Sequence, residues 1–596
     1  MMMQLDIFET PVQAEVKPVR MQMQEETLDE KIGRAVKAIR TLFQQSLAVS
    51  ISFSGGKDSS ALMHLTMEAA IASQAAGEAP HVVVFSSDTG VENPEVALLL
   101  RREHDKIRSH LTLYGIQHEV LLTQPSLAAS WPVRVLSGSK LPSFPGNSHD
   151  CAVDFKVKPI RSARNAVFNA LGKERTVTLI GTRFEESAER SRNMTQRGEL
   201  AHTPYLNDEG EKVLSPIAFW TTDDVWELIG LVRAGVVSSY SDFEETFKLY
   251  ADAGGTSCAV VSDAITEGIK KARGGCGARF GCYVCVAVGN DTSLDTMIET
   301  DERYSYMSGL NRLRNVIAKT RWDYSKRYWV QRSIDEQGNM KIQPDCYSPA
   351  FLLELFRYSA SLDYAERRAA ARLGIAPRFQ LLSAETVVVI DALWSLNGYH
   401  APHTALLEWL DISKGRAFYE VPDIAKEESA ERKPLPKAIA YPVGKTWDGE
   451  VPAMFTGMRD ALSTFADCRE TRETNDGRTV LELETSKRME VDVESLCMAL
   501  DFEWDGILKR HNEKPTDWTA GYRFWTTYGT LVLSASQTTE HDDMLRRTDW
   551  RAKNGFLGEA GNIRAQALWM AAAKGPDDSA GQRLAQQLVL DAEVVG

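Results

Sequence analysis

Residues 54–59 read Ser-Gly-Gly-Lys-Asp-Ser, a composition suited to holding phosphate. They follow an apolar run at 48–53 and precede a helix-compatible run at 59–76. A turn from strand to helix points backbone N–H groups at an anion, with the helix dipole behind them. Gly55 and Gly56 have no Cβ, so phosphate oxygens can approach the main chain. On this reading Ser54, Gly55, Gly56, Ser59 and Ser60 hold the phosphates of a nucleotide. Lys57 offsets their charge, and Asp58 coordinates Mg2+, a hard ion that takes oxygen ligands. The loop is not a Walker A sequence, because Lys57 is followed by Asp58 rather than Ser or Thr.

Three further groups are expected to meet the same nucleotide. Asp88 lies just after an apolar run at 81–86, where ligands of open α/β sheets bind. Gly181, Arg183, Glu186 and Ser187 follow another apolar run at 176–181. Arg183 is expected to clamp phosphate with its planar fork, while Arg190 and Arg192 read equally as phosphate contacts or plain surface. Lys156 and Lys158 follow Cys151 and bring positive charge beside a thiol.

Cys258, Cys276, Cys282 and Cys285 are spaced C-x17-C-x5-C-x2-C. Four thiolates in so short a stretch can close around one metal centre, and zinc and an iron–sulfur cluster both fit the count. Structural zinc sites usually show two C-x2-C knuckles, whereas only Cys282 and Cys285 form one here. Cys346, Cys468 and Cys497 stand apart in apolar contexts and read as core residues.

The segment 54–59 resembles the PP-loop of ATP pyrophosphatases. Asp88-Thr89-Gly90 with Pro94-Glu95 resembles the sulfonucleotide reductases, and Gly-x-Arg-x-x-Glu-Ser at 181–187 is similar to the second nucleotide loop of that family. With Phe-Gly-Cys-Tyr-Val-Cys at 280–285, residues 30–410 resemble the DndC/SspD-like branch of the PAPS reductase family, PP-loop ATP pyrophosphatases of DNA phosphorothioation systems. The resemblance implies ATP and Mg2+ as ligands and tips the cysteine set toward a [4Fe–4S] cluster, structural or sulfur-carrying. It implies adenylation of a DNA backbone phosphate, and Lys156 or Lys158 facing substrate phosphates. A cysteine desulfurase, other phosphorothioation subunits and a second copy of the chain are the implied protein partners. One departure is Asp150 before Cys151, where an aromatic residue is common in such relatives. A sulfonucleotide reductase, a tRNA thiolation enzyme and a non-catalytic ATP-gated DNA-binding subunit are the competing readings. The first is disfavoured by the lack of an adjacent Cys-Cys pair and of cysteine in 590–596.

The elements that must position these groups alternate strand and helix, which predicts an α/β fold with a parallel, doubly wound sheet. The reading divides the chain of 596 residues into a flexible arm (1–25), a nucleotide-binding α/β domain (26–235) and a cysteine-rich segment (236–302). A helical region (303–425), a linker (426–437) and a separate C-terminal α+β domain (438–596) follow. Residues 124–148 read as a mobile loop rich in Pro, Ser and Gly. Thr222 is expected to cap a helix at 223–232. Net charge is −14, which argues against nucleic-acid binding over the whole surface. Yet 303–332 carries eight Lys and Arg against one acid, interleaved with Tyr and Trp. That pattern suits either a groove for a DNA backbone or a solvated helix with core aromatics. No run approaches the length of a membrane span and no secretory signal is legible, so a cytoplasmic location is expected.

Overall fold

The computed structural model describes residues 26–144, 150–254, 280–287, 290–335, 338–424, 433–442, 471–473, 479–481, 488–513 and 517–574. The arm at 1–25, Cys258, Cys276, Cys468 and most of the 426–437 linker lie outside them.

Strands β1 (Ala48–Ser52), β2 (His81–Ser87), β3 (Gln117–Thr123), β4 (Thr176–Leu179), β5 (Tyr205–Leu206) and β6 (Lys212–Leu214) form one sheet in the order β3-β2-β1-β4-β6-β5. All neighbours run parallel except β5, which pairs antiparallel with β6 at the edge. Alternate side chains along β2 face opposite ways. Val82 and Val84 pack into a core with α1 (Leu28–Gln44), α2 (Lys57–Ala75) and α3 (Pro94–Leu113). Val83 and Phe85 meet Val167 of helix Lys158–Leu171 on the other face. Helices therefore cover both faces, as a doubly wound α/β sheet requires. Thr27 caps α1 in a capping box, its Oγ1 accepting from the Glu30 N–H at 3.3 Å.

Two local expectations differ from the structure. Thr221, not Thr222, caps the helix Thr222–Arg233, because its Oγ1 accepts from the Asp224 N–H at 3.1 Å. Part of 124–148 is built as helix Trp131–Leu136, whose six residues are all buried. Its Pro132 sits in the first turn, where a missing N–H costs nothing. Beyond the linker the described residues join elements that precede it. Strand Ile439–Pro442 pairs with strand Asn339–Ile342, which pairs in turn with Val330–Ile334. Trp525 Nε1 donates to Asp391 Oδ2 at 2.7 Å, and the Trp329 N–H donates to Asn562 Oδ1 at 2.9 Å. Aromatic residues from both sides of the boundary share one apolar core.

Asp391 is 1 % exposed and also accepts the Ala405 N–H at 3.0 Å. Asp391→Ala strands that donor and the Trp525 indole. The expected loss is about 3 kcal/mol, read as a lower urea midpoint with an unchanged slope.

Three buried histidines tie stability to pH. Burial lowers His64, His104 and His541 to about 4 each, with His110 and Arg108 adding repulsion at the first two. Their folded pKa lies below the unfolded value near 6.5, so the unfolded chain binds more protons between the two. Their contribution is complete above about pH 6.5 and is lost as pH falls toward 4. Thermal melts from pH 7 to pH 4.5 are expected to show a steady fall in Tm over that window. A flat profile would contradict the burial of neutral rings. Among the described residues no helix is long and apolar enough to cross a membrane.

Candidate functional site

β1 and β4 are adjacent and parallel, and the chain leaves them toward opposite neighbours, so the crevice at their carboxyl ends is a topological switch point. The loop after β1 enters it as Ser54–Gly56, and α2 starts at Lys57. Gly55 has φ +72°, a left-handed conformation that favours glycine. The loop is tied to its helix by side chains. Ser59 Oγ donates to the Gly56 carbonyl at 2.9 Å and lies 3.0 Å from Ser54 Oγ. The N–H groups of the first turn of α2 have no carbonyl one turn earlier to accept them, so they face outward with the positive end of the helix dipole.

The loop after β4 closes the crevice. A Cβ on Gly181 would stand 3.4 Å from the backbone carbonyl of Asp58, so glycine permits the two loops to touch. Arg183 then reaches Asp58 directly, with Nε 2.8 Å from Oδ1. Lys57 Nζ holds the other carboxylate oxygen at 2.7 Å. Arg183 is 2 % exposed and also donates to the Trp220 carbonyl at 3.2 Å and to Thr222 Oγ1 at 3.3 Å. The expected phosphate clamp is thus engaged by protein groups. Arg183 positions Asp58, and both oxygens of the expected Mg2+ ligand are ion-paired. Glu186 accepts the Arg183 N–H at 3.2 Å and pairs with Arg190, whose side chain is 55 % exposed. Ser187 Oγ accepts the Arg190 N–H and caps the helix Ala188–Arg197.

These two loops line a cleft of about 700 Å3. Ser54, Lys57, Asp58, Ser59, Gly181, Arg183, Glu186, Ser187 and Arg190 all contribute to its wall. Tyr250 and Phe280 also line it; Tyr250 was missed in the sequence, whereas Phe280 was noted only as part of the 280–285 motif. Tyr250 OH accepts the Lys57 backbone N–H at 3.4 Å, and its ring meets Phe280 edge-on at 5.2 Å. No local signal marks Tyr250, which sits on the helix Glu244–Gly254.

The other expected members lie elsewhere. Ser60 is fully buried in α2 and does not reach the cleft wall. Asp88 is 5 % exposed and caps its own turn, accepting the Gly90 N–H at 2.9 Å and Arg101 at 3.1 Å. Lys158 pairs with Asp154 at the surface, while Lys156 pairs with Glu92 at 2.7 Å. Glu92 forms an antiparallel bridge with Cys282, and the Tyr283 N–H donates to the Val91 carbonyl at 3.0 Å. The segments at 88–92 and 151–158 thus gather around the cysteine knuckle rather than around the first cleft.

That knuckle faces a second chamber of about 580 Å3, lined by Cys151, Lys156, Cys282 and Cys285. Phe280 belongs to the wall of the first cleft, and Gly281 and Cys282 to that of the second, so the short run 280–282 separates the two. The Cys285 N–H donates to the Cys282 carbonyl at 2.8 Å, and Arg314 Nε donates to the Cys285 carbonyl at 2.9 Å. This turn presents both thiols to one chamber, which fits two members of a four-cysteine ligand set. Burial and the Glu92 carboxylate push the Cys282 thiol up to about 12. A cation bound there would compensate the buried thiolate. Among the described residues no three His, Cys, Asp or Glu side chains are grouped to hold a metal ion.

The stretch 303–332 is not an open basic groove. Tyr304, Tyr328 and Trp329 are buried, as are Arg314, Arg321 and Arg327. Arg327 donates to the Arg321 carbonyl and stacks on Tyr347 at 4.6 Å. Arg303, Arg312, Lys326 and Arg332 pair with Asp252, Glu420, Glu354 and Asp345. The acids that neutralise these cations lie outside the window, so the charge count within it misleads.

Residues 48–243 match the family model of the phosphoadenosine phosphosulfate reductase domain. The match spans all six strands of the sheet and both loops of the first cleft. No curated protein matches the chain.

Proposed function

We propose that this chain is an ATP pyrophosphatase that adenylates a DNA backbone phosphate and so prepares it for sulfur incorporation. The observation that carries the reading is the meeting of the 54–59 and 181–190 loops on one cleft at the switch point, with Lys57 and Arg190 on its wall. Similarity of this part of the chain to a domain of sulfur-related nucleotide chemistry supports it. The DNA acceptor rests on the resemblance of the loop and cysteine motifs, not on the 303–332 stretch.

A phosphodiester oxygen is not displaced easily. Attack of that oxygen on the α-phosphorus of ATP forms a new P–O bond and breaks the bond to pyrophosphate. The acceptor oxygen then leaves with AMP when sulfur replaces it. The first-turn N–H groups of α2 and the Lys57 ammonium hold charge that grows on the departing pyrophosphate. Arg183 holds Asp58 at the cleft wall, where it pairs with Lys57 before nucleotide binds. Asp58 is the carboxylate available to Mg2+, once Lys57 turns to phosphate, and Mg2+ there supplies Lewis-acid stabilisation. Cys258, Cys276, Cys282 and Cys285 would hold a [4Fe–4S] cluster.

The test is anaerobic incubation of the full chain with ATP, a persulfide donor and duplex DNA, followed by nuclease digestion and mass spectrometry. AMP, pyrophosphate and phosphorothioate-linked dinucleotides are expected. Sulfite from a sulfonucleotide, or thionucleosides in added tRNA, with unmodified DNA would overturn the acceptor assignment.

A further inference from the structure

The phosphate-binding turn of the first cleft is in contact with a neutral group of the protein itself. Tyr250 OH accepts the backbone N–H of Lys57, the first residue of α2. A Cβ on Gly56 would stand 3.1 Å from the same hydroxyl. The phenol therefore sits where a phosphate oxygen approaches a helix start. The two acceptors are unequal. A charged oxygen makes a shorter hydrogen bond, roughly twice as strong as a neutral one, so a triphosphate displaces the phenol.

The ring has room on one side. Its helix, Glu244–Gly254, is held at Leu249 and Ala253, which share a core with Tyr283 and Val284. It is held again at Asp252, which accepts from Tyr304 OH at 2.6 Å. Trp226 meets the Tyr250 ring edge-on at 5.4 Å and belongs to the core that holds β1 and α2. On the other side stands Phe280, which is only half-buried. Gly281 follows it, and a Cβ there would meet nothing within 4 Å. From Cys282 onward the chain is pinned, by the bridge to Glu92 and by the Tyr283 N–H on the Val91 carbonyl. A displaced ring thus yields toward Phe280 and Gly281, in the run that parts the cleft from the cysteine chamber.

We propose that Tyr250 is a latch that nucleotide displaces. Before binding, it holds the phosphate turn and Phe280 together; when ATP takes the Lys57 N–H, the run at 280–281 is released. The proposal rests on the ATP reading above and adds regulation to that same site. The partition between the two cavities then loosens only when nucleotide is bound, which orders events in them, nucleotide first.

The test follows binding of α,β-methylene-ATP with Mg2+ to the full chain, by calorimetry and by hydrogen–deuterium exchange. Tyr250→Phe removes the hydroxyl and keeps the ring. It is expected to bind the analogue about three- to tenfold more tightly than the parent, because no internal hydrogen bond has to break. In the parent, the analogue is expected to slow exchange over 54–60 and to speed it over 280–282 by about threefold or more. In Tyr250→Phe the second change is expected to be absent. Equal or weaker binding by Tyr250→Phe would overturn the proposal, weaker binding by making the hydroxyl a phosphate contact. Slowed exchange over 54–60 reports nucleotide in the cleft by itself. If it appears in the parent while 280–282 does not respond, the latch falls and the ATP reading stands. If the parent binds no analogue at all, the ATP reading falls and the latch with it.

Discussion

Lys57→Ala is expected to lower pyrophosphate release by about 100-fold or more while moving Tm by no more than about 2 °C. Lys57 Nζ makes one ion pair, with Asp58, and its side chain is 12 % exposed in the cleft wall. Without it, Asp58 keeps Arg183 as a partner, so no buried charge is left alone. What is lost is the ammonium beside the departing phosphates, where charge develops only as the bond to pyrophosphate breaks. An interaction made mainly in the transition state shows as a fall in kcat more than as a rise in KM. Pyrophosphate release assays at saturating and limiting ATP separate the two. A variant with normal kcat and a raised KM would show that Lys57 merely binds the nucleotide.

Asp58→Ala is expected to cost both activity and stability. It leaves the Arg183 guanidinium, 2 % exposed, without its carboxylate. Removing one partner of a buried pair costs about 3–5 kcal/mol. Asp58 itself is 23 % exposed, which reduces the figure here to about 2–3 kcal/mol after solvent screening. Asp58→Asn keeps an oxygen that can accept from Arg183 Nε, so it should recover at least half of the lost stability. It should not recover pyrophosphate release, because a neutral amide does not bind Mg2+ as a carboxylate does. Urea titrations of both variants, run beside the release assay, separate the two roles. Equal destabilisation of both variants would show that a neutral oxygen cannot replace the Asp58 carboxylate at Arg183.

The two loops of the cleft were legible because their signals are local. Gly55 needs a left-handed turn, and Gly181 needs room against the Asp58 carbonyl. Both sit where an apolar run gives way to helix. The placing of Asp88 was not legible, because it depends on strand order. β2 lies beside β1 on the side away from β4, so its carboxyl end opens toward the cysteine knuckle instead of the crevice. Sequence spacing carries no information on which strand stands next to which. The 303–332 window left two readings open for a related reason. Its cations find Asp252, Glu354 and Glu420, which are distant in sequence. The boundary at 426–437 read as a linker from its prolines and charges, yet strand Ile439–Pro442 completes a sheet begun about a hundred residues earlier. Long-range β pairing of this kind leaves no trace in composition.

The most direct test of the account is a crystal structure with a non-hydrolysable ATP analogue and Mg2+. The account predicts its triphosphate against the Ser54–Ser59 turn, with Lys57 turned from Asp58 toward phosphate oxygen. A triphosphate bound in any other cavity, with Lys57 still on Asp58 and the turn empty, would contradict it.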